Sequence, residues 1–411
     1  MKHKIGIYTC ILTILCTISF AQDIKINSGH WRGNLMRTDG INIPFSFQMH
    51  TVNGKTEMLI TNANDTLVVN DFKKFNDSIL ITLPFFDAEF MVKSEGDKIK
   101  GRWTRHLPKS NTYMPFEAVL NQNRFNEVHQ NELKLNNTWD VKFIDENTKD
   151  SSEAIGQFNC SINNVTGTFL TTTGDYRFLE GIYNGGKIKL STFDGSHAYL
   201  VLADFDPKTN TISNGIFYAG LTGKENWSGI LNPEAELPDA EKLTFLKPGY
   251  QKIQFQLPDL NNNVISLADA NYQHKVVLLL IMGSWCPNCL DESKLMAEVY
   301  DAYHSKGLEI IGLCFEKSDD INVIKNNINN FKKQLQIKYP LLIAGNTKKG
   351  SVNNTLPMLA NFVAFPTLIL IDRNGNVQSI HTGYSGPATG KFYLAFKKHF
   401  IENLEKYLNE K

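Results

Sequence analysis

The apolar run from Val276 to Met282 holds no polar residue. After Gly283-Ser284-Trp285 it gives way to Cys286-Pro287-Asn288-Cys289, and then to Leu290, Leu295, Met296, Val299, Tyr300 and Tyr303 at helical spacing. A run so short and so uniformly apolar reads as a strand buried on both faces, which requires helices on either side of its sheet. Pro287 fits the first turn of the helix that follows, where a missing N–H costs nothing. Phe255-Gln256-Leu257 and Val264-Ile265-Ser266-Leu267 flank Asp259–Asn263 as an antiparallel hairpin. Leu308 to Cys314 and Tyr339 to Ala344 predict strands, Asp319 to Leu335 a helix, and Thr367 to Ile371 with Val377 to Ile380 a hairpin around Asn374-Gly375. Phe392 to Leu408 predicts a closing amphipathic helix. The order β-α-β-α-β-β-β-α predicts an α/β domain with a mixed sheet over 245–411.

Upstream of a Pro- and Glu-rich linker, Asn232 to Asp239, the pattern changes. Strand alternation, as in Ile43-Pro44-Phe45-Ser46-Phe47-Gln48-Met49, recurs between Gly, Asn and Asp turns, so this half reads as all-β. It also echoes itself. Trp31 is answered by Trp139, Ile81-Thr82-Leu83-Pro84-Phe85-Phe86-Asp87 by Ile188-Lys189-Leu190-Ser191-Thr192-Phe193-Asp194, and Phe116 to Asn121 by Trp227 to Asn232, each about 110 residues later and in the same order. Two repeated β-rich units, 22–122 and 137–235, joined by a polar, partly helical connector at Asn123–Asn136, account for the echo as small barrels or curled sheets.

Residues 1–21 stand apart as a signal peptide. Lys2 and Lys4 precede the apolar run Ile5 to Phe20, and Ser19-Phe20-Ala21 offers a cleavage site that would leave Gln22 first. The run is shorter than the roughly 20 residues of a bilayer span. The expected location is periplasmic or otherwise extracytoplasmic, soluble after cleavage; an uncleaved leader or a lipidated Cys16 would instead hold the chain at a membrane. Lys+Arg and Asp+Glu are both 42, which removes the basic surface that nucleic acid binding needs.

Of six cysteines, Cys10 and Cys16 leave with the leader, and Cys160, Cys286, Cys289 and Cys314 are too few for a disulfide scaffold. In an exported chain Cys-x-x-Cys means redox chemistry or half a metal site. No second pair at zinc spacing follows, so neither metal nor cofactor is expected. Cys314, inside an apolar strand, and the solitary Cys160 read as unreactive thiols. Cys286 is different. At a helix start, free amides and the positive end of the dipole favour thiolate, and Cys-x-x-Cys thiols fall to about 3.5–7.5 from roughly 8.5. Cys286 is therefore the candidate to attack a substrate disulfide, and Cys289, one turn deeper, to resolve the mixed disulfide.

Gly283 to Cys289 with Glu292, followed by Ala364-Phe365-Pro366-Thr367 and Asp372-Arg373-Asn374-Gly375, resembles the thioredoxin superfamily, and within it the TlpA/ResA-like thiol-disulfide oxidoreductases, over about 245–411. The resemblance implies a disulfide reductase, acting on disulfide-containing protein substrates and re-reduced by a membrane-bound thiol electron donor. It implies that Pro366 is cis and faces the dithiol, where its neighbours hydrogen-bond the incoming peptide, that Glu292 takes the proton of Cys289, and that Trp285 flanks the motif. Leu280 stands where thioredoxin itself carries a buried Asp, which puts proton handling on Glu292, and the bulk of Phe365 narrows substrate choice. Glu292 also reads as an acid favoured by the helix dipole, and Trp285 as core. Two other functions fit parts of the chain. One is a thioredoxin-fold peroxidase with antioxidant activity, although Gly283 stands where such enzymes carry Thr or Ser. The other is a partner-binding protein whose β-units select the substrate, with Trp31, Trp103, Trp139 and Trp227 as a binding surface or, alternatively, as core.

Overall fold

Alternation sets the N-terminal half. In the computed structural model, which describes residues 26–410 apart from 53, 108 and 109, Trp31, Gly33 and Leu35 point inward from β1 (Gly29–Met36) while their neighbours are partly exposed. The leader expected at 1–21 lies outside the described residues. After β1 come β2 (Asn42–Val52), β3 (Lys55–Asn62), β4 (Asp65–Val69), β5 (Asp71–Phe75), β6 (Ser78–Thr82), β7 (Ala88–Glu95), β8 (Lys98–Arg105) and β9 (Thr112–Leu120). They form one antiparallel sheet of order β4-β3-β2-β1-β9-β8-β7-β6-β5.

A short 3-10 turn at Leu133–Leu135 leads into a second set. It comprises β10 (Asn137–Asp145), β11 (Ser151–Cys160), β12 (Val165–Thr171), β13 (Gly174–Asp175), β14 (Leu179–Asn184), β15 (Lys187–Phe193), β16 (Ala198–Asp206), β17 (Thr211–Ala219) and β18 (Gly223–Leu231). Here pairing of β12 with both β11 and β14 closes the sheet on itself, so those strands keep no free edge. Each sheet is filled by its inward aromatic residues. Trp31, Trp103, Trp139 and Trp227 are all buried, so they pack the cores and form no binding surface.

The C-terminal part begins with a small pairing of β19 (Phe245–Leu246), followed by the hairpin β20 (Leu257–Pro258) and β21 (Val264–Ile265). Then come β22 (Val276–Met282), α1 (Pro287–Tyr303), β23 (Leu308–Glu316), α2 (Ile321–Gln334), β24 (Leu341–Asn346), α3 (Ser351–Thr355), β25 (Leu359–Ala360), β26 (Thr367–Ile371), β27 (Val377–Thr382) and α4 (Lys391–Asn409). β25 is the partner of β19. The main sheet has the order β24-β23-β22-β26-β27, parallel across β24, β23 and β22 and antiparallel across β22, β26 and β27. β22 is central and buried throughout. Its Val276, Leu278, Leu280 and Met282 face the cluster built by α1, α2 and α4, whereas Val277, Leu279 and Ile281 face the one containing Val352 of α3.

Local details differ from the sequence reading. The hairpin around Asn374-Gly375 forms, and its loop is longer than two residues because the Asp372 carboxylate accepts the backbone N–H groups of Asn374 and Asn376. α3 was not anticipated because five residues are too few to show helical periodicity. Among the described residues, no helix is long and apolar enough to cross a membrane.

Candidate active site

β22 delivers the chain to Gly283-Ser284-Trp285, and the buried Glu316 at the end of β23 fixes that turn. Its carboxylate accepts the Ser284 N–H and hydroxyl, both at 2.8 Å. Burial pushes the Glu316 carboxyl upward against these two bonds, which favour its charge. Cys286 then caps α1. Its backbone is extended (φ −100°, ψ 116°), Pro287 occupies the first turn, and Sγ accepts the Cys289 N–H at 3.2 Å. Cys286 and Cys289 are joined as a disulfide. Cys286 Sγ lies 3.8 Å from the Phe365 carbonyl oxygen, the Phe365-Pro366 bond is cis, and Pro366 is buried. The pair and the Pro366 segment, 80 residues apart in sequence, thus meet at one point.

Trp285 is half-buried. Its Nε1 donates to the Phe315 carbonyl at 2.9 Å, its ring meets Phe365 edge-on at 5.7 Å, and Lys317 Nζ lies over it at 4.3 Å. Burial, with Arg105 nearby, pushes the Lys317 ammonium down to about 8. Glu292, one turn beyond Cys289, is 1% exposed, and no protein group donates to its Oε1. Burial alone raises its carboxyl to about 8 from the ordinary 4.5. Leu280 is fully buried beneath the motif.

Several groups at this site carry no signal in the local sequence. Asp291 accepts from Arg177, which arrives from the second β-unit, and Phe86, from the first, packs in the cluster that holds both cysteines. Glu316 and Lys317 come from the far end of a parallel strand. Phe86 did lie in an echoed segment, but nothing there spoke of the dithiol.

Among the described residues Cys160 and Cys314 are free thiols; Cys160 lies on β11, whereas Cys314, on β23, belongs to the same buried cluster as the dithiol. Burial raises both, Cys314 most strongly. Cys160 Sγ sits 3.8 Å from His129 Nε2, yet Nδ1 accepts the Tyr183 N–H, so Nε2 carries the proton and points it at the Ser161 carbonyl at 2.8 Å. No base is left for Cys160.

Residues 248–380 match the AhpC/TSA family. The thiol-disulfide oxidoreductase ResA of Bacillus thuringiensis subsp. konkukian is 33% identical over 129 residues, which cover 31% of this chain and 66% of that protein. ResA of Bacillus cereus is 33% identical over 139 residues, covering 34% and 70%. This chain thus spans about two thirds of the length of these curated relatives. Among solved structures, a thiol:disulfide interchange protein of the thioredoxin family from Chlorobium tepidum aligns with a TM-score of 0.27 at 20% identity, over 36% of this chain and 94% of that one.

Proposed function

The chain belongs, through its C-terminal region, to the ResA-like thiol-disulfide oxidoreductases of the thioredoxin superfamily, and from that premise we propose that it is an exported reductase of protein disulfides. The observation that carries the reading is the Cys286–Cys289 disulfide at the start of α1, beside the Pro366 segment and one turn from an unpartnered Glu292. In the reduced enzyme the Cys286 thiolate attacks one sulfur of the substrate disulfide, and the other sulfur leaves as thiolate. Glu292 takes the proton of Cys289, whose thiolate attacks Cys286 Sγ and releases the second substrate sulfur. Two electrons pass to the substrate, which leaves as a dithiol, and the enzyme is left as the disulfide. A membrane-bound thiol donor restores it. Pro366 and the Phe365 carbonyl seat the substrate chain, and Trp285 walls the site.

In this reading residues 1–21 are a cleaved leader that places the protein outside the cytoplasm, 22–122 and 137–235 are two copies of one β-unit, and 245–411 is the redox domain. The matching strand sequence of the two sheets supports the repeat: β1 and β10 each lie between the second and the last strand of their set. The peroxidase alternative is weakened at Gly283, where a Cβ would fall 2.3 Å from Trp285 Nε1 and leave no space for Thr or Ser.

Titrating the purified protein against thiol-disulfide buffers, with the dithiol read by alkylation, tests the proposal. One reversible two-electron couple, lost in Cys286→Ser together with all disulfide reduction, is expected. A pair that does not titrate, or turnover of hydrogen peroxide in preference to disulfides, would overturn it.

A further inference from the structure

The redox face is covered from within the chain. Cys286 is only 5% exposed. Phe86, on the loop between β6 and β7, shares its buried cluster, and Phe85 beside it packs edge-on against Phe331 of α2 at 6.2 Å. Phe86 and Asp87 hold φ of 70° and 48°, a backbone that a bulky aromatic adopts only when its surroundings impose it.

The second unit reaches the motif itself. Gly174 holds a φ of 139°, a backbone that favours glycine, and lies so close to the motif that a Cβ there would come within 1.9 Å of Asn288 Nδ2. A Cβ at Gly383 would come within 2.9 Å of the Thr172 carbonyl oxygen, and Gly383 N–H donates to the Pro366 carbonyl at 2.9 Å. Residues 172–174 thus rest on both halves of the redox face. Two polar contacts fasten them. Gly386 N–H donates to the Asp175 carboxylate at 2.5 Å. Arg177 grips Asp291 of α1 through Nε (2.7 Å) and Nη2 (3.0 Å), while Asp194 and Asp65 accept from it at 3.2 and 3.1 Å. Such a planar two-point grip is specific to arginine. On the side of the first unit a cavity of about 390 Å³ opens between Phe86 and Trp285, bordered by Arg105, Lys317 and Phe331.

We propose that the β-half is a cap that sets the substrate range of the dithiol: latched by Arg177, it keeps folded proteins off Cys286 and admits disulfides carried on short or extended chains. The proposal rests on the disulfide-exchange reading above. A folded substrate would have to cover Asn288, the Pro366 segment and Gly383 to Gly386, which residues 172–177 already occupy. A flexible disulfide needs only the width of one chain beside Trp285. For a bulky substrate the rate scales with the fraction of molecules whose cap is lifted, and for a narrow one it does not. The two-electron exchange is the same for both, and only access differs.

Two substrates test this, with dithiothreitol as reductant: a short unstructured peptide closed by one disulfide, and a folded protein displaying the same disulfide loop. The native chain is expected to reduce the folded carrier about tenfold more slowly than the peptide, or slower still. Arg177→Ala is expected to raise only the folded-carrier rate, with Arg177→Lys falling between. Because a variant can fail to fold, the native reduced chain is also alkylated with iodoacetamide and with a maleimide carried on a large polyethylene glycol, each referenced to the chain in denaturant. The cap slows the large reagent selectively. Equal protection against both reagents, or equal turnover of both disulfides, would overturn the cap while leaving the reductase standing. Size-selective alkylation with no turnover of either disulfide would support the cap and sink the reductase.

Discussion

The two faces of α1 treat neighbouring acids in opposite ways. Asp291 turns toward the β-half, where Arg177 meets it together with Asp194 and Asp65. Glu292, the next residue, turns into the redox domain and finds no donor for Oε1. Both are buried, at 9% and 1% exposure, so burial does not decide their chemistry and the partner does. Burial also works against the charge of Arg177, but Asp291, Asp194 and Asp65 hold its pKa well above the ordinary value. One face therefore carries an interface built on ion pairs, while the other holds a carboxyl that burial raises to about 8, so that the proton acceptance proposed for Glu292 draws on its ionised fraction and grows as pH rises toward that value.

The largest effect should come from Arg177→Ala, which takes from the buried Asp291 and Asp194 and the half-buried Asp65 the guanidinium they share. A loss of about 3–5 kcal/mol in unfolding free energy is expected. Denaturant melts check it, and a loss under about 1 kcal/mol would mean the acids are solvated and the interface is loose.

Next is Glu292→Gln. A carboxyl whose folded value lies above its unfolded one binds its proton more tightly in the folded state. Its contribution is therefore complete below the ordinary 4.5 and lost as pH rises through about 8. The native chain should lose on the order of a few kcal/mol across that window. The variant should lose less, keeping the parts due to the other carboxyls that burial raises, among them Glu316 and Asp175, the latter to about 7 despite the Gly386 N–H. Melting midpoints from pH 4 to 9 read this directly, and parallel curves for both proteins would place Glu292 in contact with solvent.

Lys294→Ala sharpens the contrast at its smallest. Lys294 pairs with the same Asp291 at 3.1 Å, but its side chain is 45% exposed, so removing it should cost at most about 1 kcal/mol. A cost matching that of Arg177→Ala would show that exposure does not separate the two pairs.

The redox half was open to sequence reading because its signals are local. An unbroken apolar strand, Pro287 at a helix start and two cysteines one turn apart each constrain a few adjacent residues, and Asp320 caps α2 within one residue of the expected start. The cap was not legible. Gly174, Arg177 and Phe86 meet α1 and its preceding loop across more than a hundred residues, and nothing near them in sequence encodes the partner. The echo came nearest: its segments Ile81 to Asp87 and Ile188 to Asp194 both end at the interface, one placing Phe86 in the dithiol cluster and the other Asp194 on Arg177. Periodicity can show that two segments correspond, but not what either touches.

The segment 232–244 joins the closed β-unit to the redox sheet, with Ala235 packed on Ile155 and Leu170. Cap and dithiol are therefore one molecule, and a short tether gives such partners an effective concentration on the order of millimolar. Closure is first order. Dilution does not open it and abundance does not shut it, so the latch responds only to what competes for its own contacts.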